Sequence, residues 1–207
     1  MKDLIIVGAG PTGRERLDAI KKINRIEKRW NIKGFLSDDL DVLNGVECDY
    51  LIIDTIVDYL PQENDVFVCG IAQPKDKEKV VNLLKKKGAK FETIIHPKSN
   101  IGEFVTCGEG CYIYGTVSPN AQLGSFVSIM GSMIGGGAVI GDYSTTTGYA
   151  NVTSAKIGKR VFVASHAVIL NNITVGDDAY IGAGSVVIRN VKSSTKVFGN
   201  PAKKVDF

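Results

Sequence analysis

The chain is poor in the residues that most often carry chemistry. Among its 207 residues there are two histidines, His96 and His166, and four cysteines. So few and so scattered, they give neither a disulfide framework nor a zinc site, and no metal is expected. Cys107 and Cys111 fall four apart in "CGEGCY", a spacing read below as two inward positions, so both are expected buried as small hydrophobes, reduced and metal-free. No run of about 18 apolar residues occurs, which argues against a membrane span. The opening "MKDLIIVGAG" has too short an apolar stretch for a signal peptide, so the protein is expected to be cytoplasmic. Net charge is only +3, with acids and bases interspersed. The one basic run, Lys85 to Lys87, closes a helical pattern where cations suit the helix dipole, so nucleic-acid binding is not indicated.

What the chain does have is a repeat. Ile157, Val163, Ile169, Val175, Ile181 and Val187 recur every sixth residue, and four residues after each comes Val161, Ala167, Ile173, Ala179, Ser185 or Val191. The intervening positions are mostly Gly, Asp, Asn and Ser. A period of six fits neither an amphipathic helix nor an alternating strand, and it marks a parallel β-helix. With one hexad per side and three sides per turn, the aliphatic anchors fill a triangular prism whose backbone groups pair with the coils above and below.

The repeat reaches back to Ile101. Its earlier inward pairs are Ile101/Val105, Cys107/Cys111, Ile113/Val117, Leu123/Val127, Ile129/Met133, Ile134/Ala138, Ile140/Ser144 and Thr146/Ala150. The register slips near Pro119, between Ile129 and Ile134, and between Val152 and Ile157, where turns can absorb a change of length. About five coils result at three hexads each. The polar tail after Val191 is expected to cap the open edge. Flat faces carrying Phe126, Phe162 and Tyr180 are expected to be exposed and to join subunits.

The N-terminal part reads differently. "DLIIVG" is a strand, "GAGPTG" a glycine turn, and Arg14 to Arg25 a helix with Leu17, Ile20 and Ile23 on one face. Gly8, Gly10 and Gly13 would let backbone approach a phosphate at a helix N-terminus, and Asp38 and Asp39 follow the next strand where a ribose-binding acid belongs. Alone, this favours a dinucleotide. The strands "YLIID" and "DVFVCGI", a helix from Pro74 to Lys87 and "FETIIHP" exhaust the unit by about residue 97, and a full dinucleotide fold needs two such halves. One half suffices for a mononucleotide, and a tight strand-to-helix turn with no ligand is the remaining reading. Two domains follow: residues 1–97, Rossmann-like, and residues 98–207, the β-helix with its cap.

"LIIVGAGPTGRERLDAI", "GFLSDD", "AQPKDKEK", "TIIHPKSNIG", "VGDDAYIGAGSVVIRNV" and "VFGNPAKKV" together resemble the sialic acid O-acetyltransferase and bacterial sugar N-acetyltransferase family of hexapeptide-repeat acyltransferases. The resemblance covers nearly the whole chain. It implies an α/β half-Rossmann domain holding a nucleotide-activated amino sugar, then a left-handed parallel β-helix that forms homotrimers and binds acetyl-CoA between subunits. Left-handedness comes from the resemblance alone. It further implies substrate contacts at Gly8, Gly10, Pro11, Thr12, Gly13, Ser37 and Asp38, and acetyl-CoA contacts at Thr145, Ser165 and Ala183.

One departure matters for the chemistry. The family's general base is a His followed by an acid just before "VIGDY", and here Gly136 and Gly137 occupy those positions. A second family His aligns with Thr145. His166, in "VASHAVI", is the only imidazole of the β-helix and the candidate proton acceptor; a surface turn residue is the alternative. Three functions follow: an acetyl-CoA-dependent acetyltransferase on a nucleotide-linked amino sugar or sialic-acid-like sugar in surface-glycan biosynthesis; a weak or inactive trimer that binds sugar nucleotide or CoA; and a dehydrogenase using "GAGPTG".

Overall fold

The computed structural model describes residues 1–205. The chain divides into two compact units, Met1–Ala72 with Asp76–Pro97, and Gln73–Lys75 with the residues from Lys98 onward.

The first unit is a parallel sheet in the order β3-β2-β1-β4, formed by β1 (Lys2–Val7), β2 (Trp30–Leu36), β3 (Ile52–Asp54) and β4 (Asp65–Cys69). β1 lies inside this sheet, and Leu4 to Val7 are wholly buried, as the unbroken apolar run requires of a strand covered on both faces. Helix α1 (Pro11–Ile26) starts on Pro11, whose fixed φ suits a first turn, and buries Leu17, Ala19, Ile20 and Ile23 along one face. Helix α2 (Pro74–Lys86) carries Lys85 and Lys86 in its last turn and buries Val81 and Leu84. A core of Ile5, Val7, Leu36, Ile56, Phe67, Leu84 and Ala89 results.

The second unit is a left-handed parallel β-helix. Its inward anchors form three vertical columns. One stacks Ile101, Val117, Ile134, Val152, Ile169 and Val187. The next stacks Cys107, Leu123, Ile140, Ile157, Val175 and Val191. The third stacks Ile113, Ile129, Thr146, Val163, Ile181 and Val197. Each buried branched aliphatic contributes about 1.5–3 kcal/mol, so the columns are the main source of this unit's stability.

The glycines before the corners have a steric cause. At one corner the Asp142 Oδ1 accepts the Ser125 N–H (3.0 Å), and two coils higher the Asp177 Oδ1 accepts the Lys159 N–H (2.9 Å). Each carboxylate lies over the glycine below it, Gly124 or Gly158, where a Cβ would overlap the oxygen.

Three expectations fail locally. Met133 is not an inward partner of Ile129: it is 51% exposed, while Ser132 is buried. Gly131, at φ 75°, marks a register shift between Met130 and Ser132, and an inserted residue sends the next side chain to the opposite face. Cys107 is exposed, whereas Cys111 is buried; Cys107 lies on the edge strand of its sheet, with no coil beneath it. Phe126 is 1% exposed. Its ring lies over Gly110 and stacks on Tyr143 one coil up, with centroids 5.3 Å apart. Phe162 and Tyr180 are half-buried and stack with centroids 5.3 Å apart.

Candidate functional site

In the first unit the expected substrate residues gather at the carboxyl edge of the sheet. β1 and β2 are parallel with Val7 opposite Leu36, so Gly8 and Ser37 are the next residues of neighbouring strands, and the Gly8 N–H donates to the Leu36 carbonyl (2.8 Å). Strand order reverses between β1 and β4, and ligands of open α/β sheets bind outside the strand ends at such a point.

The glycines of the turn have separate jobs. A Cβ on Gly13 would overlap the Gly8 carbonyl, and one on Gly70 would come within 2.6 Å of the Gly13 Cα. Gly13 is therefore a packing residue that lets α1 close onto the ends of β1 and β4. Gly10 has nothing within 4 Å of its Cβ direction. It caps α1 with no side-chain hydrogen bond, and the first turn contains no acidic residue. Pro11 has no N–H, so the Thr12 and Gly13 N–H groups keep the positive end of the helix dipole available to an anion.

Ser37 and Asp38 are tied into the loop. Ser37 is buried, and its hydroxyl donates to the Asp39 carbonyl (2.8 Å). The Asp38 Oδ1 accepts the Ile56 N–H (2.8 Å), which ties that carboxylate to the loop after β3.

In the second unit, Thr145, Ser165, His166 and Ala183 converge on one edge of the prism. Ser165 and His166 form a corner directly above Gly148 and Tyr149, with the His166 N–H donating to the Gly148 carbonyl (2.9 Å). Ala183 and Gly184 form the next corner up, where the Gly184 N–H reaches the Ser165 carbonyl (2.9 Å). The Ser165 hydroxyl is 3.2 Å from that of Thr147. Thr145 is fully buried on the flat side leading to this edge, between Ser128 and Phe162 in the ladder. His166 is exposed, takes φ 60°, and lies against the Tyr149 ring with centroids 5.2 Å apart. Tyr149, 78% exposed, was not singled out in the sequence; it lies one coil before His166, so the coil period would have found it.

Gly136 and Gly137 lie on another corner. The Gly137 N–H donates to the Pro119 carbonyl (3.1 Å) below, and the Ser154 hydroxyl above donates to the Gly136 carbonyl (2.6 Å). The Asn172 N–H then donates to the Ser154 carbonyl (2.9 Å). Pro119, Asn120, Gly136, Gly137, Ser154, Asn171 and Asn172 supply this corner with amides and one hydroxyl but no titratable side chain. Gly136 and Gly137 are exposed, and a Cβ on Gly136 would meet only the Pro119 carbonyl oxygen, at 3.3 Å. Among the described residues no cluster of His, Cys, Asp or Glu could hold a metal ion, and no helix is long and apolar enough to cross a membrane.

Residues 154–189 match the family model "Bacterial transferase hexapeptide (six repeats)". Serine acetyltransferase 2 of Arabidopsis thaliana is 33% identical over 115 residues, which is 56% of this chain and 32% of the relative. The chain thus spans about a third of the length of that relative. Among solved structures, the acetyltransferase domain of PglB from Neisseria gonorrhoeae FA1090 superposes with a TM-score of 0.87 at 19% identity, covering 99% of this chain and 100% of that one. PerB from Caulobacter crescentus, solved with CoA and GDP-perosamine, gives a TM-score of 0.87 at 19% identity, covering 100% and 98%. The chain therefore carries the bacterial transferase hexapeptide repeat and, over nearly its whole length, has the fold of these acetyltransferases.

Proposed function

We propose that the protein is an acetyl-CoA-dependent acetyltransferase that acts on a nucleotide-linked amino sugar or sialic-acid-like sugar in surface-glycan biosynthesis, working as a cytoplasmic homotrimer. The observation that carries this reading is that one chain holds two separate binding features: an uncapped glycine turn at an α/β switch point, and a β-helix edge with Ser165, His166 and Ala183 at its corners. Support also comes from PerB, which has the same fold and was solved with CoA and a nucleotide sugar.

In this reading residues 1–97 bind the acetyl acceptor, the nucleotide-linked sugar. The nucleotide phosphate lies on the amides after Gly10, with Ser37 and Asp38 alongside. The β-helix, residues 98–207, holds acetyl-CoA along the Ser165 to Ala183 edge, and trimerisation through the prism brings that edge to a neighbouring subunit.

Acetyl transfer needs three things: a nitrogen or oxygen of the sugar placed against the thioester carbonyl, donors for the oxyanion, and a group that takes the proton. Amides at the corners supply donors. A positioned base contributes about 10²–10⁴-fold, equivalent to about 3–5 kcal/mol of barrier. Gly136 cannot supply it, and His166, exposed on the cofactor edge, is assigned the role. Release of free CoA on mixing the protein with acetyl-CoA and a panel of amino-sugar nucleotides tests the reading.

One observation favours a second reading. The rungs of the Gly136 corner from Pro119 to Asn172 carry no titratable side chain, Glu103 lying at the foot of the same stack, which suits a weak or inactive trimer that retains sugar-nucleotide or CoA binding. Calorimetric binding of both ligands with no acetyl transfer is its signature. A dehydrogenase is disfavoured because the sheet of the first unit has a single set of four strands, where a dinucleotide fold uses two halves.

A further inference from the structure

We propose that Cys107 and Cys111 are a reactive dithiol at the uncovered end of the β-helix, a modification site for low-molecular-weight disulfides that ends in a bond between the two cysteines.

The placement carries the argument. Both cysteines belong to one hexad and flank a single corner, Glu109–Gly110, where Gly110 takes φ 65°. Cys107 stands in the inward column opposite Leu123, and Cys111, four residues on, is buried, so both side chains turn to the same interior across the corner. In every higher coil such a pair is sealed by a rung beneath it. Here Cys107 is on the edge strand and exposed, while Cys111 is 1% exposed with its Sγ donating to the Gly124 carbonyl (3.1 Å). One sulfur is open to solvent and the other is held behind it.

Cys111 beside it holds the Cys107 pKa down at about 6, against the opposing effect of burial. Thiolate is the nucleophilic form, and this lowering favours it at the solvent-open Cys107.

The chemistry balances in two steps. The Cys107 thiolate attacks one sulfur of an external disulfide, whose S–S bond breaks and whose other half leaves as a thiolate that takes up a proton. Cys111 then loses its proton to solvent and attacks the Cys107 sulfur, which breaks the mixed disulfide and expels the second thiol. The two cysteines are oxidised by two electrons, and the external disulfide is reduced to two thiols.

The test uses the full chain and glutathione disulfide at neutral pH, with acid quenching, alkylation of remaining thiols and peptide mapping. The expected result is a transient glutathione adduct on Cys107 that decays to a Cys107–Cys111 cross-link, while buried Cys69 stays alkylatable after unfolding. Cys111→Ala should trap the adduct on Cys107, and Cys107→Ser should leave Cys111 unmodified. The time course in the parent chain carries the test by itself if Cys111→Ala perturbs the rung. Adduct formation first on Cys111, an adduct on Cys107 that never resolves in the parent chain, or no reaction at either residue would overturn the proposal.

Discussion

His166 and Gly136 stand on different corners of the same prism. His166 caps a stack running from Gly148 through Ser165 to Gly184, and Gly136 belongs to one running from Pro119 through Ser154 to Asn172. Within one chain His166 therefore does not fill the space that Gly136 leaves; it reaches an acceptor only by lining the cofactor edge. His166→Ala should lower turnover at least a hundredfold, the size expected for losing a positioned base, while CoA affinity by calorimetry stays nearly unchanged. Turnover close to that of the parent would make His166 a surface residue that packs on Tyr149.

The Gly136 corner has room for a base. Gly136 is exposed, Gly137 has nothing within 4 Å of its Cβ direction, and although Gly137 takes φ 67°, Asn120 and Asn172 on the same corner take φ 61°. Gly136→His with Gly137→Glu should fold, at a cost of about 1–2 kcal/mol for a side chain in the left-handed region. It should raise kcat at least tenfold if the rest of the site is intact. No gain in rate by a folded double variant would mean that the acceptor is not held at this corner.

Among the described residues, the prism interior contains a hydroxyl without a partner. Thr146 is fully buried in the column between Ile129 and Val163, and its Oγ1 has no hydrogen bond. Thr146→Val keeps the branched shape and removes the desolvation cost, so stability should rise by about 1 kcal/mol. Denaturant unfolding with a higher midpoint and unchanged slope is the expected result.

Acid should loosen the Asp142 to Asp178 corner first. The Asp178 carboxylate takes two 2.9 Å bonds from Arg160, which hold its pKa below the usual range, and the Lys159 ammonium with the Ser125 N–H does the same for Asp142. Both carboxyls bind protons more weakly folded than unfolded, so this stability is fully present above the unfolded pKa of about 4 and is lost as pH falls through the lower folded values. Asp178→Asn tolerates the φ of 61° and removes the charge together with one of the two acceptors for Arg160. It should cost about 1 kcal/mol at pH 7 and flatten the decline of stability with acid; an unchanged acid profile would place the sensitivity elsewhere.

The fold was legible because the repeat is carried by buried side chains: every anchor from Ile157 to Val187 stands in its expected column. Sequence reasoning failed where a neighbour one coil away decides the outcome. Met133 turns outward because of a shift at Gly131, Cys107 is exposed because nothing lies under the first rung, and Phe126 is buried because Gly110 below and Tyr143 above accept its ring. The glycine turn was legible as a turn, but the division of labour between Gly13, which packs, and Gly10, which faces open space, follows only from the approach of Gly70.

The most direct test of the proposed function is the rate of CoA thiol release from acetyl-CoA by the parent protein, measured with and without each of a panel of nucleotide-linked amino sugars. The account predicts acceptor-dependent release, with the acetylated sugar identified by mass spectrometry and the rate lowered at least a hundredfold by His166→Ala. No acceptor-dependent release from a folded protein that binds both ligands would contradict it and leave the binding reading in its place.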